Sequence, residues 1–153
     1  MKSLPKLEAL LWSIALPGFP QLLTGQLVKG ILFVLLEFLI NIQSNFNEAI
    51  MQSFLGNTKQ AAQIIDYQWL MFYPCLYMFA MWDAYKFALQ KEEKLAYLPF
   101  VFSAYTVTVG LMYSPRVYIL DKFIGPIFFP MLCVIPGVII GLVIKKILLL
   151  FQN

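Results

Sequence analysis

The stretch VKGILFVLLEFLINIQSNF, residues 28–46, decides the fold class of this chain. Its charged residues are Lys29 at the start and Glu37 near the middle. A helix needs roughly 20 mostly apolar residues to cross about 30 Å of hydrocarbon. The stretch is therefore predicted to be a membrane-spanning helix.

Three further stretches have the same character, at residues 67–86, 95–113 and 125–143. The chain of 153 residues is 61% hydrophobic and 12% charged, whereas soluble domains average about 45–50% apolar and about 25% charged. A soluble domain of this length buries only about 70% of its surface, too little to hide so much apolar area. We therefore predict one all-α membrane domain over residues 1–153.

The apolar segment 7–23 is interrupted by Pro17, Gly18 and Pro20 after about ten residues, too few to cross. If it did cross, five basic residues would face six across the membrane. If it enters and returns, one side holds eight and the other three, as the positive-inside rule expects. The eight are Lys2, Lys6, Lys29, Lys86, Lys91, Lys94, Lys145 and Lys146, and the three are Lys59, Arg116 and Lys122.

This count favours four transmembrane helices plus an N-terminal re-entrant or interfacial segment, with five spans as the alternative. It also predicts that both termini are cytoplasmic. The connecting segments 47–66 and 114–124 would then face outward. The segment 47–66 is polar and is expected to be partly helical at the membrane surface.

A short motif lies near the start of the sequence. It consists of Pro17, Gly18 and Gln21, then Gly25, then Lys29 and Gly30 before an apolar helix. It resembles a pattern of small bacterial multi-pass membrane proteins, including the domain family named for its pair of transmembrane helices. The resemblance covers residues 9–40, and it implies a tightly turned helical hairpin with no shared activity. The family's glycine, tyrosine and asparagine are replaced by Pro20, Leu23 and Thr24.

Glu37 is the most informative polar residue, because it lies eight residues after Lys29, about 12 Å along a helix. Carboxylates near mid-bilayer are costly, rare and often functional. Glu37, Asn41, Ser44 and Glu48 fall at i, i+4, i+7 and i+11, which predicts that they share one helix face and form a polar stripe. Three interpretations are open: a structural hydrogen bond to a neighbouring span, docking on a partner's helix, or a proton or ion route.

Two smaller features concern helix packing and surface charge. Gly137 and Gly141 form a small-xxx-small pattern that lets helices approach closely. Asp83 has Lys86 three residues later, which predicts an ion pair at the membrane surface.

The chain has no histidine and two isolated cysteines, so we expect no metal, no cofactor and no enzyme activity. The net charge of +3 does not indicate nucleic acid. The expected partners are the lipid bilayer, a second copy of the chain or another membrane protein. The expected role is that of a non-enzymatic accessory or scaffold protein of a bacterial cytoplasmic membrane. The alternative is a small transporter or channel with Glu37 on the route.

Overall fold

The computed structural model describes residues 4–89 and 91–151, which are almost entirely helical. A 3-10 turn, Ser114–Arg116, precedes a small hairpin in which β1 (Tyr118–Ile119) pairs antiparallel with β2 (Lys122–Phe123). The nine α-helices in these residues are α1 Lys6–Ala15, α2 Phe19–Leu23, α3 Leu27–Ser44, α4 Phe46–Phe54, α5 Thr58–Ile64, α6 Tyr67–Leu70, α7 Tyr73–Ala88, α8 Leu98–Tyr113 and α9 Gly125–Leu150.

Two of these helices are long and apolar enough to cross a membrane, namely α3 with 18 residues and α9 with 26. Helices α7 and α8 have 16 residues each, about 24 Å at the usual rise, short of the roughly 30 Å of hydrocarbon. By length and composition, the described chain thus contains two candidate spanning helices, whereas the sequence predicted four. The all-α class is confirmed.

The N-terminal segment folds back on itself as a helical hairpin of α1 and α2, called here the N-terminal hairpin. Helix α1 stops because Pro17 has no backbone N–H and Gly18 has a positive φ of 96°. The start of the hairpin at Leu4 and its end at Thr24 line one small crevice beside Ala84 and Ala88 of α7. Both ends of the hairpin therefore lie at the same end of α7.

The two glycines of the motif bring α2 against α3. A Cβ on Gly18 would lie 2.6 Å from the carbonyl oxygen of Gly30, and one on Gly30 would lie 2.5 Å from Cδ2 of Leu22. Neither position has room for a side chain. The close approach lets the hairpin lie along the first turns of α3.

The predicted span 28–46 ends slightly early, because Asn45 adopts a left-handed conformation with a φ of 55°. The chain then forms α4 and α5 within the polar segment 47–66. This excursion closes on itself, since the N–H of Asp66 donates to the carbonyl of Ser44 at 3.1 Å. A small core holds this end of the molecule together: Ala49, Ala61, Ile65, Leu70, Leu111 and Ile127.

The predicted span 67–86 is divided into α6 and α7. Asp66 begins α6 by accepting hydrogen bonds from the N–H groups of Gln68 and Trp69. Pro74, in the first turn of α7, cannot donate the bond that would continue α6 into α7. The last predicted span, 125–143, is too short, because α9 continues through Lys145 and Lys146 to Leu150.

Helix α9 packs along α8 through small residues. A Cβ on Gly137 would lie 2.5 Å from Cα of Ser103, and one on Gly141 would lie 2.5 Å from Cα of Pro99. The two helices are therefore in backbone contact at both glycines. Near the other end of this contact, Thr106 donates to the carbonyl of Cys133 at 2.7 Å.

We expect Gly18→Ala to destabilise the protein more than Gly25→Ala. Both glycines have positive φ, but a Cβ on Gly25 would meet nothing within 4 Å. The additional loss in the free energy of unfolding of Gly18→Ala, about 1–3 kcal/mol, therefore measures the clash with Gly30. Thermal unfolding of both variants in detergent micelles measures it. An equal loss in the two variants would mean that the close approach of α2 and α3 is not needed.

Candidate functional site

A line of polar side chains runs between α7, α3 and the N-terminal hairpin. We call it the polar seam. It begins at the end of α7 that adjoins the start of α3 and leads toward the middle of α3. Its members are Lys29, Asp83, Gln21, Tyr77, Tyr73 and Glu37.

The first part of the polar seam clamps Asp83. The ammonium of Lys29 donates to Asp83 Oδ1 at 2.8 Å, and the side-chain amide of Gln21 donates to Asp83 Oδ2 at 3.2 Å. The same amide donates to the carbonyl of Ala80 at 2.9 Å. Lys29 is 54% exposed and the Asp83 side chain 14%, so the ion pair stands at the edge of the bundle. Three elements, α2, α3 and α7, are tied together here.

This arrangement differs from the pair that the sequence suggested. Asp83 pairs with Lys29, whereas Lys86 lies over the ring of Trp82, 5.2 Å from its centroid. The turn between α2 and α3 brings Lys29 to Asp83, and no local spacing on α7 reveals that approach. Gln21 donates to the other oxygen of the same carboxylate, so Lys29 and Gln21 together fix the orientation of Asp83.

Gln21 is completely buried, and its carbonyl oxygen Oε1 has no hydrogen-bond partner among the described residues. Its amide orientation is set by two acceptors, the Ala80 carbonyl and the Asp83 carboxylate. Turning the amide over would direct Oε1 at both of them. The polar seam thus contains an unpaired buried oxygen next to the Asp83 clamp.

The middle of the polar seam satisfies the end of α1. The last carbonyls of α1 lack their usual helical partners, because the chain turns away at Pro17 and Gly18. The hydroxyl of Tyr77 donates to one of them, the carbonyl of Ile14, at 2.5 Å. An unpaired backbone carbonyl costs several kcal/mol or so in hydrocarbon. Tyr77 therefore holds the tip of the N-terminal hairpin against α7.

Glu37 forms the far end of the polar seam. The hydroxyl of Tyr73 donates to Glu37 Oε1 at 3.3 Å, longer than the ordinary O–H···O distance of about 2.7–2.8 Å. The other oxygen, Oε2, is buried and has no partner among the described residues. The Tyr73 ring is itself fixed between Phe46 and Tyr77, at centroid distances of 4.8 and 5.5 Å.

The predicted polar stripe does not continue past α3. Glu48 lies on α4 and is exposed, because the left-handed Asn45 ends α3 after Ser44. Asn41 instead exchanges hydrogen bonds with Asn47 and holds the turn. The Ser44 hydroxyl donates to its own helix, to the carbonyl of Ile40. The prediction for Glu48 was wrong because it assumed one continuous helix.

The motif residues all lie at the junction of the N-terminal hairpin and α3. Pro17 and Gly18 make the hairpin turn, and Gly25 makes the turn into α3 with a φ of 82°. The sequence did not single out Tyr73 or Tyr77. Their spacing of four residues, which places both on one face of α7, is the signal that could have indicated them.

A second group of charges lies outside the polar seam, where Lys145 of α9 donates to Glu93 Oε1. Tyr85 donates to Glu93 Oε2 at 3.0 Å, and Lys6 lies 4.0 Å from the same oxygen. The hydrogen bond from Lys145, followed by that from Tyr85 and the charges of both lysines, holds the pKa of Glu93 below its ordinary value. This cluster joins α1, α7 and α9.

No protein-family model, no curated protein and no solved structure matches the chain. The hairpin motif's resemblance to small bacterial membrane proteins therefore stays a prediction. The polar seam combines two carboxylates, two tyrosine hydroxyls and the carbonyl end of a short helix.

The Glu93 cluster predicts a pH-dependent stability. Because the pKa of Glu93 is lowered on folding, its contribution is fully present above its ordinary value of 4.5 and is lost as the pH falls through the lowered value. Glu93 is exposed, so the contribution is at most about 1 kcal/mol. The wild type should unfold at a higher temperature than Glu93→Gln at pH 7, and the difference should vanish in acid.

The matched control is Glu92→Gln, since Glu92 makes no ion pair in the described part of the chain. Its unfolding temperature should follow the wild type at every pH. A Glu93→Gln protein as stable as the wild type at pH 7 would show that the cluster adds nothing.

Proposed function

We propose that the chain is a membrane protein in which α3, the α6–α7 pair, α8 and α9 all cross the bilayer. Together α6 and α7 cover residues 67–88, about 33 Å at the helical rise, enough for the hydrocarbon core. Helix α8 contacts α9 from Gly141 at one end to the neighbourhood of Cys133 and Gly110 at the other. A helix in backbone contact with a spanning helix over this length shares its surroundings.

We further propose that the N-terminal hairpin enters from the cytoplasmic side and returns to it. The contact of Lys6 with Glu93, beside Lys145, supports this orientation, because it brings the start of α1 to the end of α9. Lys59 and Lys122 line one cleft at the start of α9. This division follows the charge count of eight to three; Lys2 lies outside the described residues.

The orientation predicts which positions an impermeant thiol reagent reaches in intact cells. In a background with Cys75→Ala and Cys133→Ala, Asn57→Cys in the α4–α5 turn should be labelled from outside. A cysteine placed before Met1 should be labelled only after the membrane is opened. Mass measurement of the purified protein reads both results.

The five-span alternative makes the opposite prediction for the N-terminus. Labelling of the N-terminal cysteine in intact cells would contradict the re-entrant hairpin. Labelling of Asn57→Cys under the same conditions controls for reagent activity.

The function that the geometry supports best is that of a non-enzymatic accessory or scaffold protein. The observation that carries this proposal is the internal use of the polar seam: Lys29, Asp83 and Tyr77 all bond to neighbouring elements. The outward faces of α3 and α9 consist of large aliphatic side chains. Such faces act by packing against lipid, a second copy or another membrane protein. A bacterial cytoplasmic membrane is the location that the hairpin motif suggests.

One observation favours a second candidate, a small transporter or channel. Glu37 Oε2 is buried without a partner among the described residues. An intramembrane carboxylate that is not fully paired is a feature of proton and ion routes. Under this candidate, the polar seam would lead the transported charge to Glu37.

The scaffold proposal predicts a defined protein contact in the membrane. A photoreactive amino acid at Ile139 on the outward face of α9, 55% exposed, or at Leu35 on that of α3 should give a discrete adduct with a protein. The same group at the buried Ala80 should react only within the chain. Mass spectrometry of cells irradiated at native expression levels identifies the products.

Adducts with lipid alone at both outward positions would contradict the scaffold. Glu37→Gln separates the two candidates, because an amide keeps the shape but cannot ionise. A scaffold keeps its adduct and its cellular phenotype in this variant. A transporter loses the phenotype while the protein accumulates normally.

A further inference from the structure

We propose that Glu37 and the carbonyl end of α1 form a binding site for one monovalent cation, either a proton or an alkali ion. The site would lie near the middle of α3, beside the turn of the N-terminal hairpin. The inference rests on the proposed crossing of α3, and it holds whether the bound charge moves across the membrane or stays in place.

The carboxylate of Glu37 forms no ion pair within the described residues. The three ion pairs in the described residues use Lys6, Lys29 and Lys145, and their acidic partners are Glu93 and Asp83. None of these lysines reaches Glu37. A carboxylate at this depth needs a positive charge or a proton, because hydrocarbon does not solvate the bare anion. The positive charge must therefore come from outside the described chain.

The end of α1 lies close to Glu37. Gly18, in the turn after α1, lies against Gly30, Phe33 and Val34 of α3, and Val34 is about one turn before Glu37. The C-terminal end of a helix carries a partial negative charge. Short helices that end inside a membrane direct such carbonyl ends at bound cations. The helix end and the carboxylate thus add negative potential about one turn apart along α3.

Oxygen atoms of three elements lie around this point. Glu37 Oε1 accepts from the hydroxyl of Tyr73, the Tyr73 ring stacks on that of Tyr77, and the hydroxyl of Tyr77 donates to the carbonyl of Ile14. Oxygen ligands of this kind suit a hard cation. Glu37 Oε2 has no partner among the described residues, and the Tyr73 contact is long. Both features leave Glu37 free to accept a proton or a small ion.

The titratable groups near Glu37 are tyrosines, so a carboxyl titration at this site can be assigned to Glu37. The titratable groups that interact with it are Tyr73 and Tyr77, both on α7. The nearby rings are apolar: Phe46 of α4 packs on the ring of Tyr73, and Phe33 of α3 packs on Phe79 of α7. A change in carboxyl protonation at this depth would therefore report Glu37.

The test is infrared spectroscopy of the full chain in lipid nanodiscs, with Glu37→Gln as the difference reference. At neutral pH in choline chloride, the wild type should show one protonated carboxyl band that Glu37→Gln lacks. Replacing choline by sodium then distinguishes the two sources. A band that disappears with release of one proton identifies an alkali ion as the ligand, and a band that stays identifies the proton alone.

The control is Glu48→Gln, which removes an exposed carboxyl group of α4 and should leave the band unchanged. The amide bands of the same spectra verify that each variant keeps its helices. A Tyr77→Phe protein should lose or shift the band, because it releases the end of α1 that faces the site. An unchanged Glu37 band in Tyr77→Phe would remove the helix end from the proposal.

Two results would overturn the inference, and they differ in what else they affect. If Glu37 is ionised at neutral pH in choline while Leu35→Cys in the Cys75→Ala and Cys133→Ala background stays inaccessible to the impermeant thiol reagent, the cation site is wrong while the crossing of α3 stands. If Glu37 is ionised and Leu35→Cys is labelled, the crossing of α3 is wrong as well.

Discussion

The hydrogen bond from Tyr77 to the carbonyl of Ile14 is the interaction on which the arrangement of this chain depends. A helix that stops after ten residues leaves carbonyl groups without partners, and Pro17 removes one of the donors that could have served them. In an apolar surrounding these carbonyls must be satisfied by a neighbour. Tyr77 does this from α7, and the N-terminal hairpin is thereby fixed against α7. The hairpin in turn fixes the start of α3 through Gln21, Asp83 and Lys29.

Small residues make these polar contacts possible. Gly18 and Gly30 let α2 lie close enough to α3 for Lys29 to reach Asp83. Ala84 and Ala88 give α1 the same access to α7, where Ala9 packs on them. In the proposed membrane setting, where side-chain hydrogen bonds contribute only about 0.6 kcal/mol on average, the polar seam orients the helices more than it stabilises them. The same close approach also places Gly18, after the end of α1, against Val34, about one turn before Glu37.

Helix α9 runs from one end of the molecule to the other. Its first residue, Gly125, lies against Thr58 of α5, and Lys145, twenty residues later, bonds to Glu93. Twenty residues of helix rise about 30 Å, the thickness of a hydrocarbon core. The Glu93 cluster and the cleft of Lys59 and Lys122 therefore stand one membrane thickness apart. A helix of 26 residues extends beyond this distance, so α9 continues past Lys145 and Lys146 to Leu150.

The sequence by itself determined the helical class, the approximate limits of the long helices and the turn at Pro17 and Gly18. These follow from local causes: runs of apolar side chains, a missing N–H and a residue without a Cβ. The tertiary structure decided the partner of Asp83, the roles of Tyr73 and Tyr77, the division of 67–86 and the separation of Glu48 from Glu37. Periodicity places residues on one face only while the helix continues, and the left-handed Asn45 ended it. A partner many residues away is brought close by packing, which no spacing within a single helix encodes.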